Sequence, residues 1–192
     1  MQFAEVAAEK TAFTYADYLS WDEDFCELVD GMMVASPTPV TGHQRVCRNL
    51  FAHLLRFLEG RPGEAFFAPF SVRLEPRQDL SDRTVLVPDI LVVLDPAKID
   101  ERGCNGAPDF IAEVLSPSNI HYDRVVKFHK YLEAGVREYW IVDPEARTVQ
   151  ACVLVNGEYQ ITVYEDASAS VPVNVLPGCV IPLAAVFAYS FY

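Results

Sequence analysis

Pro88-Asp89 is followed 24 positions later (113 − 89) by Glu113, and Lys127 falls on the helix expected after that. Each acid sits at or inside a run that reads as buried strand. Asp89 lies within Val85 to Leu94, and Glu113 lies within Phe110 to Leu115. An ionised carboxylate in an apolar strand is costly unless a cation or strong hydrogen bonds compensate it. Two such carboxylates on neighbouring strands, with a lysine nearby, are what a Mg²⁺-dependent phosphodiesterase needs. They supply hard oxygen ligands to an ion that activates water and neutralises charge on phosphate oxygens. The backbone carbonyl of Val114, next on the same strand, can complete the set. The competing reading is a strand-end Asp and a partly exposed Glu in a mixed sheet.

Lys127 shares a helix face with Asp123 and Tyr131, at i−4 and i+4. Val125, Phe128 and Leu132 are expected to form the packing face, offset from the lysine. An ammonium here can orient an attacking water or stabilise transition-state charge, or it can be a solvated lysine paired with Asp123. His43 begins the strongest helix, where backbone N–H groups and the helix dipole favour an anion, so it can contact phosphate or only decorate the helix start. Glu27 is a weaker candidate of the same kind. Asp109 precedes Glu113 by four positions (113 − 109) on one strand and is expected to open that strand. His53, His121 and His129 lack zinc-ligand spacing, and neither a Gly-rich phosphate loop nor a Gly-x-Ser-x-Gly elbow is present.

The elements that must position these residues follow from patterning. Residues 1–12 read as a loosely ordered lead-in. Thr14 to Leu19 suggests a short helix capped by Thr14, with Tyr15, Tyr18 and Leu19 packing inward. Asp30-Gly31 marks a hairpin over Cys26 to Val34, and Ser36 to Pro39 breaks the chain. Thr41-Gly42-His43-Gln44 fits a capping box. The apolar stripe Val46, Leu50, Leu54 and Phe57 carries a helix that Gly60 and Pro62 end. Ala65 to Leu74 reads as a strand interrupted near Pro69. Strands are expected at 85–94, 109–115 and 138–142, with a helix over about 121–134 that stops at Gly135. Asn156-Gly157 centres a second hairpin, 148–154 with 159–164. The tail is strand and loop from Val171 to Val180, with a last helical turn at Leu183 to Phe187. With no repeats and no linker, the expectation is one α/β (α+β) domain over 1–192.

The bulk properties narrow the classes. A chain of 192 residues, 51% hydrophobic and 22% charged, can bury a substantial core. Five scattered cysteines read as free thiols of a reducing compartment. The N-terminal residues lack the pattern of a signal peptide and no apolar run approaches a membrane span, so a cytoplasmic protein with no membrane partner is expected. The net charge of −12 argues against tight, non-specific nucleic-acid binding. It still allows a nuclease that holds DNA weakly, because bound divalent cations add positive charge at the site.

At these residues the chain resembles the PD-(D/E)xK nuclease superfamily, and within it a bacterial restriction-endonuclease-like family expanded in cyanobacteria. The resemblance spans roughly Tyr15 to Phe187. It is carried by Glu27-Leu28-Val29-Asp30-Gly31, Ser36-Pro37, His43, Val87-Pro88-Asp89-Ile90, and the long block from Pro108 through Glu113 to Ser118. It continues through Lys127, Tyr131, Ala134-Gly135-Val136 and Glu138 to Pro144. The resemblance implies a restriction-endonuclease-like core, a mixed central sheet flanked by helices with added β-hairpins. It also implies Mg²⁺ on Asp89 and Glu113. The superfamily pattern puts its lysine two positions after the second acid, where this chain has Leu115. In this family the lysine has moved to the next helix, at Lys127, with Lys130 as fallback, and a long flexible stem can reach the same point.

The reading that results is a Mg²⁺-dependent endodeoxyribonuclease, with Mn²⁺ as a substitute ion. Asp89 and Glu113 with the Val114 carbonyl hold the metal, Lys127 positions water, and His43 contacts phosphate. The alternatives are a nuclease-fold binding or assembly module that no longer cleaves, and a metal-dependent hydrolase of another phosphoester. A homodimer is expected if both strands of a duplex are cut, with Tyr189, Phe191 and Tyr192 as interface candidates.

Overall fold

The computed structural model of the chain describes residues 12–21, 26–35 and 38–188. In chain order the elements are α1 (Tyr15–Tyr18), β1 (Cys26–Val29), β2 (Met32–Ala35), α2 (Thr41–Leu58), β3 (Glu64–Phe67), β4 (Val72–Arg73), β5 (Val85–Leu86), β6 (Ile90–Val93), β7 (Ile99–Asp100), β8 (Gly103–Asn105), β9 (Phe110–Val114), α3 (Phe128–Ala134), β10 (Glu138–Asp143), β11 (Thr148–Val155), β12 (Glu158–Tyr164), β13 (Ser170–Pro172), β14 (Val180–Pro182) and α4 (Leu183–Val186). A 3₁₀ turn, Pro96–Lys98, precedes β7, and a π-helical turn, Tyr122–Lys127, runs directly into α3. The candidate interface aromatics Tyr189, Phe191 and Tyr192, the Ser36-Pro37 breaker and nearly all of the expected lead-in lie outside the described residues.

The strands build two six-stranded sheets and the small pair β13–β14. One sheet runs β2-β1-β5-β4-β8-β7. The other, the central sheet, runs β12-β11-β10-β9-β6-β3. The central sheet is mixed: β9 and β10 are parallel, joined through the π turn and α3, and the other pairings are antiparallel. A parallel pair needs such a crossover.

Period-two alternation decides what covers each face. Ile90, Val92, Phe110, Ala112 and Val114 point to one side and pack on Val46, Leu50, Leu54 and Leu58 of α2. Leu91, Val93, Ile111, Leu115 and Ile141 point to the other and meet Tyr131 of α3 with Val29, Val72 and Leu86 of the first sheet. The expected mixed sheet flanked by helices is therefore present, with a second sheet sharing the far face with α3. Every strand of that sheet holds only two to four residues, too few for alternation to register.

Several boundaries move for identifiable reasons. The expected strand 85–94 is two strands: β5 pairs with β1 and β4, whereas β6 pairs with β3 and β9. Pro88 has no N–H for a ladder, and Val87-Pro88-Asp89 carries the chain from one sheet to the other. The polar connection around Glu101 folds into the β7–β8 hairpin. Thr14 caps α1 with Asp17, as expected, but Leu19 is exposed. The N-cap of α2 is Val40, without a side-chain cap, so Thr41 starts the helix instead of capping it. Both hairpin turns stand where expected, with positive φ at Asp30-Gly31 and Asn156-Gly157, the backbone that two-residue hairpins require.

One glycine is fixed by contact. Gly103 has φ +142, and a Cβ there would lie 2.1 Å from the Ser71 carbonyl oxygen. Gly103→Ala is expected to cost about 1–3 kcal/mol, roughly 2–12 °C in Tm for a chain of this size. A thermal melt matching wild type would show that β4 and β8 are not held this closely.

Candidate functional site

In the antiparallel β6–β9 pair Ile90 stands opposite Ala112. The residues next along, Asp89 and Glu113, are thereby brought side by side. The Asp89 N–H donates to Glu113 Oε2 at 3.3 Å, and the Val114 N–H donates to Asp89 Oδ2 at 2.8 Å. Glu113 is on the face of β9 that Ile111 and Leu115 share, toward α3. Its Oε1 accepts from Lys127 Nζ and from the Tyr131 hydroxyl, both at 2.7 Å.

Lys127 reaches Glu113 from the following helix, as expected, but it lies on the packed face of that helix and not beside it. Asp123, Lys127 and Tyr131 form the buried face of the helical segment, and Val125 is exposed. The π-helical turn that ends at Lys127 closes i→i+5, wider than an α-turn, a geometry frequent at functional sites. The ammonium also stands 3.2 Å from Glu27 Oε1 and 3.7 Å from Asp123 Oδ1. Glu27 is fixed by the Val87 N–H and the Tyr122 hydroxyl, each at 2.7 Å. Glu27, Glu113, Asp123 and Lys127 are each 5% exposed or less.

From the opposite face of the sheet, the first turn of α2 brings His43, whose Nε2 lies 3.1 Å from Asp89 Oδ2. One turn on, Cys47 Sγ lies 3.5 Å from His43 Nδ1. A cavity of about 110 Å³ opens onto the cluster and is lined by His43, Asp89, Glu113, Asn119, Asp123 and Lys127 among others.

The electrostatics are lopsided. Three carboxylates face one ammonium, and a fourth, Asp89, adjoins Glu113. Burial pushes the Glu113 carboxyl well above its usual range; Lys127 opposes this, and Asp123, Asp89 and Glu27 add to it. Burial likewise pushes Asp123 up to about 6, against the pull of Lys127. Lys127 is disfavoured as a cation by burial, yet Glu113, Glu27 and Asp123 together raise its pKa well above the usual lysine value. At His43 burial opposes the charged ring, and the hydrogen bond and charge of Asp89 overcome it, so the pKa rises. A backbone hydrogen bond to Val114 acts in the same direction.

Asp89, Glu113, Lys127, His43 and Val114 are thus brought together. Lys130 is not among them: it pairs with Asp30 at 2.7 Å. Asp109 opens β9 as expected, bonded to the Leu94 N–H and to Arg137. Glu27 is drawn in as a partner of Lys127. Asp123 was signalled in the sequence only by its i−4 spacing from Lys127. Cys47 and Tyr122 carried no signal, since a lone thiol or phenol at helical spacing reads as packing.

The donor set suits a hard divalent cation. Two carboxylates, Asp89 and Glu113, line the cavity side by side, and paired carboxylate oxygens are ligand chemistry that Mg²⁺ takes. The buried Asp123 Oδ1 has no hydrogen-bond partner among the described residues, and a buried polar atom in that state calls for an ion or water.

Among the described residues, no helix is long and apolar enough to cross a membrane. A search of curated proteins finds no match. Among solved structures, the chain is similar to a "putative nuclease belonging to DUF820" from Anabaena variabilis ATCC 29413. The two are 21% identical with a TM-score of 0.74, over 91% of this chain and 97% of that one. The family model Uma2, described as "Putative restriction endonuclease", matches residues 15–184. With both sheets and the whole acid–lysine cluster inside that match, the chain belongs to the Uma2 restriction-endonuclease-like family.

Proposed function

We propose that this chain is a Mg²⁺-dependent endodeoxyribonuclease acting as a single domain, with Mn²⁺ able to substitute. The observation that carries the reading is the register that sets Asp89 against Glu113, inside a cluster of four carboxylates and one lysine. Such an excess of buried negative charge is costly without a further cation. Asp89, Glu113 and the Val114 carbonyl are the residues that would hold Mg²⁺. When bound, the ion supplies an activated water and charge neutralisation at phosphate.

The chain's own groups have separable tasks. Tyr131 and Lys127 fix the Glu113 carboxylate by two hydrogen bonds to one oxygen, which leaves Oε2 turned toward Asp89. Lys127, anchored by Glu27, presents a localised positive charge at the cavity wall, where it can orient water and offset charge on a phosphoryl oxygen. The opening turn of α2 places His43 beside Asp89, where a ring N–H can donate to a phosphate oxygen. The family description, "Putative restriction endonuclease", and the fold shared with the Anabaena protein described as a "putative nuclease" support a nucleic-acid substrate. The net charge of −12 fits a weakly held one. A cytoplasmic setting and a homodimer belong to the same proposal.

The test is plasmid nicking and linearisation with Mg²⁺ or Mn²⁺. Cleavage is expected with either ion, stopped by a chelator and absent in Asp89→Ala. Cutting that persists in Asp89→Ala would remove the site assignment. No cutting by wild type on supercoiled, linear and single-stranded DNA would favour the non-cleaving module.

A further inference from the structure

His43 and Cys47 occupy i and i+4 of α2, on one face of the helix. This is the spacing by which paired helical ligands grip a metal in H-E-x-x-H enzymes. Asp89 reaches the same point from the head of β6. One ligand atom from each of the three residues lies within 4.8 Å of the others. The short contacts use different ring nitrogens, Cys47 Sγ to His43 Nδ1 at 3.5 Å and His43 Nε2 to Asp89 Oδ2 at 3.1 Å, and an ion takes one of the two. Ligands on a tetrahedral ion with bonds of about 2.0–2.3 Å stand roughly 3.3–3.6 Å apart, so the imidazole turns to give one nitrogen to the ion while Cys47 and Asp89 close in from within 4.8 Å.

We infer that His43, Cys47 and Asp89 form a second cation site, specific for a borderline-soft divalent transition metal such as Zn²⁺ or Co²⁺, with the open position facing the cavity. The chemistry of the donors sets the choice. Mg²⁺ takes oxygen ligands and leaves thiol and imidazole unused, whereas a thiolate–imidazole–carboxylate set selects zinc-like ions. The surroundings favour any cation, because Glu113 and Asp123 stand close by and Lys127 is committed to them. Binding exchanges the His43–Asp89 hydrogen bond for two metal–ligand bonds, with one ring nitrogen taking the ion. The Cys47 thiol proton leaves to solvent as the sulfur–metal bond forms. Asp89 is shared with the Mg²⁺ ligands proposed above, but nothing in the assignment depends on DNA cleavage.

Co²⁺ titration of the full chain, followed by absorption, tests it directly. Wild type is expected to develop a sulfur-to-cobalt charge-transfer band together with the visible bands of a tetrahedral ion. Glu113→Gln should keep both. Cys47→Ala should lose the charge-transfer band, and its Kd for Co²⁺ should rise about 100-fold, the upper range for disturbing even an outer-shell partner. Cys47→Ser is the second variant, and circular dichroism confirms that each is folded. Cobalt bound without a sulfur band would place the ion on oxygen ligands alone and overturn the proposal. So would a band that survives Cys47→Ala, a band lost in Glu113→Gln, or the absence of binding. Because the readout is spectroscopic, an inactive nuclease with an intact sulfur band fails the function proposed above and leaves this one standing.

Discussion

Glu113→Gln is expected to lower metal-dependent DNA cleavage by about 1,000-fold or more, the upper range for removing one transition-state-stabilising group, without lowering thermal stability. The two halves of the result have one cause. Glutamine keeps an oxygen for Lys127 and for the Tyr131 hydroxyl, so both hydrogen bonds at 2.7 Å have an acceptor. What it removes is one of four negative charges beside a single ammonium. Lys127 retains Glu27 at 3.2 Å and Asp123 at 3.7 Å, so no buried cation is orphaned. A metal held as proposed would lose a carboxylate ligand, and the fold loses a repulsion. Cleavage rates and thermal melts of the same preparation decide it. An active variant would remove Glu113 from the chemistry. An inactive variant that melts well below wild type would mean that the carboxylate holds the fold together, leaving the catalytic inference unsupported. This is the ordinary trade of stability for function at a strained site.

Lys127→Met should do the reverse to stability. Methionine fills similar space but leaves Glu27, Glu113 and Asp123 facing one another with no cation. Breaking a buried ion cluster by removing one sign of charge costs about 3–5 kcal/mol, a fall of roughly 6–20 °C for a chain of this length. The sign of the pH dependence follows from the carboxylates. Asp123 rises from an ordinary value of 3.8 to about 6 in the folded state, and Glu113 rises as well. A group whose folded pKa is raised contributes stability that is fully present below the unfolded pKa and is lost as pH rises through the folded one. The deficit of Lys127→Met should therefore shrink as pH falls from about 6 toward 4, and it should also shrink when Mg²⁺ is added at neutral pH. Melts of wild type and variant at the two pH values, with and without Mg²⁺, check both. A variant as stable as wild type at neutral pH without metal would show that the three acids hold protons of their own.

The parts of the fold with long periodic signals were legible in the sequence. The α2 stripe, the two Gly-centred hairpins, β9, β10 and the Gly135 stop all stood out. The first sheet was hard to see, because β4, β5 and β7 hold two residues each and their partners are distant in the chain. The break at Val87-Pro88-Asp89 was hidden for a related reason. The apolar run continues across it unchanged, since both halves are buried, though in different sheets. At the site, Asp89 and Glu113 were visible because acids in apolar strands are costly and therefore conspicuous. Lys127 was placed at the site, but Val125 was expected on the packing face because α-helical spacing was assumed throughout, whereas the residues leading to Lys127 form a π turn and Val125 is exposed. Asp123 showed only as the i−4 neighbour of Lys127 and Cys47 not at all, because what distinguishes them is proximity to groups on other elements.

The contacts of the cluster span the chain. Tyr122 reaches back 95 residues to Glu27, and Val87 reaches back 60, while His43 and Asp89 are 46 apart. No short peptide contains the cluster, so grafting one of its motifs onto another scaffold transfers residues without transferring a site. All the clustered residues nonetheless fall between Glu27 and Tyr131. The exposed Asn156-Gly157 turn lies beyond them, and severing or extending the chain there parts none of these partners. That turn is the place to attach a tag, a fluorophore or a second domain, and the segment from Glu27 to Tyr131 is the one to leave whole.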